Sequence, residues 1–380
     1  MCLSNFKFNE DELKRAFPKY FKNMGFPKYF KNMGFEGRGM QISLPANMDL
    51  RLFAETTVPE ELVKKAWAKQ TWTTAMKDLF FGKFMGEGVN NIIQVLNDLE
   101  KESGDRITQS LVLKLKGDGV TGDDILEGNE EKMEYRSFDF TINQLRNAVR
   151  LKGKFEEKKS KENMRKNAKD GLSIWLRERI DDDLFKVLTA NPTADKVIYG
   201  GTGILSEANI TSTAKMNTTV LGKAKRLAQM SNPKIRPVRV NGGEYYVMVL
   251  HPYQIRDLKE DEKWINAQQY ANIRGMKNPI FTGATGLYNG VVVHENENVP
   301  IGQTGDTSTW VGHGLLLGAQ AGVMANGIDL AWKEKLFDYD NQYGVAISRT
   351  YGVAKSVFKI DGSTPTDFAT VNILTSAVPD

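Results

Sequence analysis

Residues 105–146 read as a β-hairpin that is too long, and too polar at its tip, to close inside a compact domain. Ile107, Leu111, Leu113 and Leu115 alternate with Thr108, Ser110, Lys114 and Lys116, the period of two of a strand with one apolar face. A second run, Glu134 to Ile142, answers it with Phe138, Phe140 and Ile142 on one face and Ser137, Asp139 and Thr141 on the other. Between them lies an acidic, glycine-rich tip, residues 117–131, carrying Asp118, Asp123, Asp124 and Glu127. About ten residues of strand reach roughly 30 Å, and an isolated two-stranded ribbon is only marginally stable in water. The apolar face therefore needs a partner. If the domain does not supply one, another copy of the chain must. The expected subunit interface is then Leu113, Leu115, Asp118, Asp123, Asp124, Glu127, Phe138 and Phe140, the four tip acids reading alternatively as solvated charge or, less readily, as metal ligands.

A chain of 380 residues has room for two lobes, or for one lobe with long arms. Its apolar and charged fractions are those of an ordinary soluble protein, so a sizeable core is expected and bulk disorder is not. The 51 basic and 47 acidic residues are too balanced for a dedicated nucleic-acid binder, whose basic face dominates its domain. The single Cys2 excludes an intrachain disulfide framework and fits a reducing compartment. No apolar h-region precedes it, so neither a signal peptide nor a lipid anchor is expected. The longest apolar stretch, Trp310 to Ile328, is broken by His313, Gln320 and several glycines. A membrane span needs about 20 mostly apolar residues, so none is expected, and the chain reads as soluble and intracellular when made.

Near the N-terminus, Phe17-Pro-Lys-Tyr-Phe-Lys-Asn-Met-Gly25 recurs identically as Phe26 to Gly34. A solenoid would need several repeats of about 20 residues or more. A duplication tolerated in an extended arm explains the repeat; aromatic and lysine side chains stacking on nucleic acid is the sharper alternative. Val58 to Trp67 reads as a helix with Pro59 in its first turn. After the ribbon, the spacing predicts one helix from about Glu156 to Leu188, roughly 50 Å long. Met164, Ala168, Leu172, Trp175, Arg179, Asp183 and Val187 form its stripe, thickened by Leu176, Ile180, Leu184 and Leu188, and Asn191-Pro192 ends it. The helix begins with a basic run that includes Lys158, Lys159, Lys161 and Arg165, either a solvated face or one turned toward polyanion.

Residues from about Asp195 to Lys335 read as a second, mixed lobe. In it, Thr218 to Met230 is a helix capped by Asn217 or Thr218, and Tyr245 to Leu250 is a buried strand. Helices are expected around Tyr253 to Lys259 and Lys263 to Ile273, and a strand at Val291 to His294. Short strands at Gly344 to Ile347 and Val353 to Phe358 return to the first lobe. The order is an α+β pattern with the second lobe inserted.

Catalytic constellations are missing. His251, His294 and His313 are well separated and read as structural or surface histidines. There is no Gly-x-Ser-x-Gly elbow. Gly200-Gly-Thr-Gly203 reads as a turn, and Gly352-Val-Ala-Lys-Ser356 lacks the glycine before lysine that a phosphate loop needs. Asp338 to Gly344 starts like a calcium loop, but its glycine falls one position late and no glutamate completes the spacing. No catalytic residue, cofactor or metal is expected.

Gly104-Asp-Arg-Ile107, Leu115-Lys-Gly-Asp-Gly-Val-Thr-Gly-Asp123, Leu126-Glu-Gly-Asn-Glu130 and Gln144-Leu-Arg-Asn-Ala-Val-Arg150 follow one another here. Leu250-His-Pro-Tyr-Gln254, Asn278-Pro-Ile-Phe-Thr-Gly283, Tyr288-Asn-Gly290 and Leu316-Leu-Gly-Ala-Gln-Ala321 continue the series. In that order the motifs resemble the major capsid proteins of tailed bacteriophages, in the N-four-like podovirus branch. The tandem nonapeptide departs from the family pattern.

The resemblance implies an α+β fold of the Hong Kong 97 capsid type. It divides the chain into an N-terminal arm (1–58), a helical peripheral segment (59–103), an extended β-hairpin loop (104–146), a spine helix (147–194), an axial domain (195–335), and peripheral strands with the C-terminus (336–380). It implies a non-enzymatic shell subunit that forms hexamers and pentamers of an icosahedral capsid around double-stranded DNA, held by weak non-specific contact through residues such as Lys158, Lys159, Lys161 and Arg165. A portal and scaffold or decoration proteins are the other implied partners; a membrane is not. The implied location is the virion capsid, assembled in the host cytoplasm. The alternatives are an encapsulin-like nanocompartment shell, which would need a lumenal groove for cargo peptides, and an oligomeric metal-dependent hydrolase using the acidic clusters.

Overall fold

The computed structural model of the chain describes residues 60–97, 104–113, 115, 117, 119–159, 163–269, 280–360 and 363–380. The arm with its tandem repeat, Lys114, Lys116, Asp118, Lys161 and the end of the helix expected at 263–273 lie outside the described residues.

Helix α1 (Glu60–Asp78) runs well past the segment expected from sequence. The extension carries Thr71, Thr73 and Thr74, poor helix formers, but the Thr71 hydroxyl donates to the Trp67 carbonyl one turn back, 2.9 Å away. A short turn of 3₁₀ helix at Phe81–Phe84 leads to β1 (Met85–Gly86) and β2 (Ile93–Leu96). The ribbon follows as β3 (Arg106–Val112) and β4 (Tyr135–Thr141), and then β5 (Asn143–Arg150). Helices α2 (Lys154–Lys159) and α3 (Met164–Thr189) precede β6 (Val197–Tyr199) and α4 (Thr218–Met230). Next come β7 (Val238–Val240), β8 (Gly243–Leu250), α5 (Pro252–Lys259) and α6 (Glu262–Gln269). The remaining strands are β9 (Gly286–Tyr288), β10 (Val291–Glu295), β11 (Ile301–Gly302), β12 (Val311–Leu317) and β13 (Gly322–Asn326). They end with β14 (Ala331–Phe337), β15 (Gln342–Lys355), β16 (Val357–Phe358), β17 (Thr366–Asp367) and β18 (Thr370–Ser376). The chain is α+β.

Two larger sheets organise the described residues. The first runs β1-β2-β13-β15-β14, with β5 along the other edge of β15. The second runs β6-β18-β12-β8-β10-β9, with β11 on β12 and β7 on β8. It contains the parallel pair β8 and β10, whose residues Val247 to Leu250 and Val291 to Val293 are fully buried. Burial on both faces is why these strands read as unbroken apolar runs. Helix α4 has the bounds expected from its pattern, and the Asn217 side chain accepts from the Val220 N–H at 2.9 Å.

The expected single helix over 156–188 is two helices. Asn163 caps α3 by accepting from the Lys166 N–H at 3.1 Å, a start signal inside a run that had read as continuous. The 26 residues of α3 span about 39 Å. Its buried row is Ala168, Leu172, Leu176, Ile180, Leu184 and Leu188, packed toward α1 and β15. Trp175 is only half-buried, and Arg179 and Asp183 form an ion pair of 3.2 Å on the flank. The true stripe is therefore one position over from the one centred on Trp175.

The two short strands expected at 344–347 and 353–358 are mainly one 14-residue strand, β15. Arg349 falls in the gap between the two expected strands. It lies 3% exposed inside the strand, with its guanidinium 3.3 Å from the Trp72 ring centroid and donating to Asn326.

The sheets also cut across the expected boundaries of 195–335 and 336–380. Strands β13 and β14 pair with β15 in the first sheet, whereas β18, near the C-terminus, pairs with β6 and β12 in the second. Sheet membership is fixed by hydrogen bonding between distant segments, which local composition does not report.

Candidate assembly surface

The ribbon has two physically distinct halves. At its base, β3 and β4 pair in antiparallel register, with Ile107 opposite Phe140, Gln109 opposite Phe138 and Leu111 opposite Arg136. The ladder is seven residues long on each strand, about 23 Å, and Leu113 extends it by donating to the Glu134 carbonyl at 2.9 Å. This half is covered by its own chain. Ile107 is 4% and Gln109 6% exposed. The Gln109 amide donates to Gln94 at 2.9 Å, and Gln94 also accepts from Gln320 at 3.0 Å. Phe138 stacks beside Phe140 and meets Phe358 edge-on, with centroids 5.9 and 5.1 Å apart. Arg136 donates to the Lys359 carbonyl at 3.0 Å. The expectation that the whole apolar face needs a second copy is thus corrected for the base. Phe358 and Gln94 reach it through folding that no local pattern signals.

Beyond Leu113 the ribbon loses both ladder and cover. Leu115 is 53% exposed, Ile125 71%, Leu126 60% and Met133 52%. Asp123, Asp124 and Glu127 are exposed beside them, while Asp118 lies outside the described residues. The tip turns through Gly122 and Gly128 at φ 69° and 90°, and a Cβ added at either would meet nothing within 4 Å. It is held by hydrogen bonds within itself, such as Gly117 N–H to Glu131 at 2.7 Å. Residues 117–134 carry seven acids against Lys132 alone. An acidic loop with exposed leucine, isoleucine and methionine suits docking on a surface that is partly apolar and partly basic.

The four basic residues singled out in sequence part company. Lys158 and Lys159 are exposed on α2, where Lys159 pairs with Glu156 at 3.0 Å. Lys161 lies outside the described residues. Arg165 is engaged in the fold: its guanidinium donates to both oxygens of Glu334, at 2.5 and 2.7 Å, and lies over Trp67 and Tyr343. Burial alone would raise the Glu334 pKa, but hydrogen bonds from Tyr343, Arg165 and Trp332 overcome it and hold the carboxyl below its usual range. Arg165 is thus a structural partner of β14, a contact hidden by sequence distance.

A buried polar junction that the sequence did not flag joins α3 to β10. The backbone N–H groups of Phe80 and Phe81 donate to Asp181 at 3.0 and 3.3 Å. Lys83 donates to the Thr282 carbonyl and to His294 Nδ1, both at 3.2 Å, and His294 Nε2 donates to the Ile280 carbonyl at 2.9 Å. Burial pushes Asp181 up to about 6 against its two N–H donors. Burial, then the Lys83 charge, pushes His294 down to about 4, and burial lowers Lys83 to about 8. His251 caps α5 in a capping box with Gln254, and His313 lies 3.2 Å from Glu207.

The remaining motifs have structural places. Gly200–Gly203 is a bend after β6. Lys355 ends β15 in a buried ion pair with Asp367 at 2.8 Å. Asp338, Tyr339 and Asp340 turn the β14–β15 hairpin with positive φ angles. Among the described residues, no group of three or more His, Cys, Asp or Glu could hold a metal ion, and no helix is long and apolar enough to cross a membrane.

A model of the phage capsid protein family matches residues 55–199 and 188–379. The chain is 28% identical to the major capsid protein of Pseudomonas phage KPP25, over 88% of this chain and 100% of that one. The capsid of Ralstonia phage GP4 superposes with a TM-score of 0.74 at 29% identity, covering 80% of this chain and 92% of the other. The capsid asymmetric unit of cyanophage Pam1 shares the fold with a TM-score of 0.66 at 23% identity, covering 79% and 92%.

Proposed function

The chain belongs to the phage capsid protein family, a structural rather than an enzymatic family, and we propose that it is a major capsid protein whose copies form hexamers and pentamers of an icosahedral shell around double-stranded DNA. The observation that carries this reading is the divided ribbon. Its base is locked into the core by Phe358 and Gln94, while Leu115, Ile125, Leu126 and Met133 project uncovered among acids. A rigidly aimed arm with an unsatisfied end is what a subunit needs to grip its neighbour. In a ring such a contact runs head to tail and must close, and permanent interfaces of this kind bury about 2,000–5,000 Å².

The reading extends to a Hong Kong 97-type fold in the N-four-like branch. Residues 104–146 are then the extended loop and 1–58 the N-terminal arm. The first sheet with α1 and α3 is the peripheral domain, and the second sheet, β18 included, is the axial domain. Near-balanced charge suits a lining that holds DNA without fixing it in place, with Lys158, Lys159 and Lys161 as candidates for weak contact. Portal, scaffold and decoration proteins are further proposed partners, with assembly in the host cytoplasm.

Negative-stain microscopy of the concentrated protein tests the proposal. Closed particles of uniform diameter are expected. Monomers alone, at every concentration and ionic strength, contradict it.

A further inference from the structure

Residues 208–243 carry seven lysines and arginines and no acid, and without them the chain's acids would outnumber its bases. On α4, burial of Val220, Leu221, Ala224 and Ala228 turns the opposite row outward: Thr219, Lys223, Arg226 and Met230, at steps of four, three and four. Lys223 is half-buried and the other three are exposed. The chain then turns back. The Ile235 N–H donates to the Ala228 carbonyl and the Tyr246 hydroxyl to the Ile235 carbonyl, both at 3.0 Å. These bonds pin the exposed Lys234 and Arg236 beside the last turn of α4.

Two of the seven charges are answered locally. Lys215 pairs with Asp257 and Glu260 at 3.4 and 3.3 Å, and Arg239 with Glu244 at 3.2 Å. Lys225 donates to the Asn289 carbonyl at 2.6 Å and Arg236 to the Gln320 side chain, neutral acceptors that fix the side chains and leave their charge. Lys223, Arg226 and Lys234 pair with no carboxylate among the described residues. Met230, 84% exposed, is the one large apolar side chain exposed in this stretch, so the face lacks the apolar centre of a protein interface.

We propose that this face of α4 and the turn after it is a contact surface for duplex nucleic acid, held at its backbone phosphates by Lys223, Arg226 and Lys234. The proposal rests on the shell reading, which supplies the polyanion, and places a contact on the second sheet's helix rather than on α2. Lys223 to Met230 spans about 10 Å of helix, and a duplex carries one charge per about 1.7 Å, so the row faces several phosphates at once. Such contacts fix position and carry no sequence information.

Titrating the unassembled full chain with a short labelled DNA duplex, from about 50 to 200 mM salt, reads the surface as the slope of log affinity against log salt. Lys223→Gln with Arg226→Gln and Lys234→Gln should lower that slope by about three and weaken binding about tenfold or more, equally for duplexes of unrelated sequence. Lys69→Gln with Lys77→Gln and Lys333→Gln removes the same charge from exposed positions elsewhere and should leave the slope unchanged. An unchanged slope in the first variant, or an equal fall in the second, overturns the proposal. Should the first variant fail to fold, Lys234→Gln alone, in the exposed turn, should lower the slope by about one; no change there overturns the surface. Closed particles from the unsubstituted chain with an unchanged slope in the variant overturn the surface and leave the shell reading standing. Failure of the unsubstituted chain to form closed particles overturns the shell reading and, with it, packaged DNA as the occupant.

Discussion

Phe138 in the ribbon meets Phe358 edge-on, their ring centroids 5.1 Å apart, and Phe358 meets Phe368 in the same way at 5.3 Å. A hairpin that would be marginal by itself is thereby built into the core at one end. Its other end stays free. This division lets a projecting element keep a fixed direction while its far end carries uncovered apolar side chains.

Phe358 is 2% exposed, so Phe358→Ala should cost about 3–5 kcal/mol. Urea unfolding gives the loss, and hydrogen exchange should show it as faster opening of β3 and β4. A comparable loss from Leu126→Ala in the unassembled subunit would contradict the assignment of the tip as uncovered.

The Arg165 guanidinium and the Glu334 carboxylate should behave as a fold contact. Arg165→Ala strands a carboxylate that is 12% exposed, while the arginine is 37% exposed and partly screened. A loss of about 1–3 kcal/mol is expected, with packaged nucleic acid unchanged. Lower nucleic-acid content without lower stability would return Arg165 to the DNA-facing set.

Lys355 and Asp367 are 7% and 2% exposed at a separation of 2.8 Å, and Lys355 also donates to the carbonyls of Ala190 and Asn191. Removing one partner of a buried pair strands the other charge, so Lys355→Met should cost about 3–5 kcal/mol. Adding Asp367→Leu should recover part of that loss in thermal unfolding. No recovery would show that packing, not charge, dominates the site.

The junction of Asp181, Lys83 and His294 gives a signed pH dependence. His294 falls from 6.5 to about 4 on folding, so its contribution is present above 6.5 and lost as pH falls through about 4. Asp181 rises from 3.8 to about 6, so its contribution is present below 3.8 and lost as pH rises through about 6. Between these limits the slopes oppose, each roughly 1.4 kcal/mol per pH unit. Lys83, lowered to about 8, keeps its proton throughout the window. Relative to the unsubstituted chain, His294→Gln should make stability fall more steeply as pH rises from 4 to 6, and Asp181→Asn should make it climb. Thermal unfolding across that range decides, and slopes of the same sign would refute the arrangement.

Features with local signals were legible in the sequence. The apolar runs of β8 and β10 marked buried strands, the pair Asn217 and Thr218 marked the start of α4, and alternation marked the ribbon. What escaped depends on distant partners. The continuity of β15 through Arg349 depends on Trp72 and Asn326, which accommodate that buried arginine and are far away in sequence. Strand β18 belongs to the second sheet because it pairs with β12, which composition near the C-terminus does not reveal. In the candidate site, Gln109 sits on the apolar face of β3 beneath its own chain, and that polar residue in an apolar row was the available sign that the ribbon base is covered.

Deleting residues 117–131 tests the central claim most directly, because the ribbon base and both larger sheets lie outside the excised segment. Sedimentation velocity with negative-stain microscopy should find folded subunits, with an unfolding midpoint close to that of the full chain, and no closed particles. Regular shells of the normal diameter from the shortened chain would contradict the account.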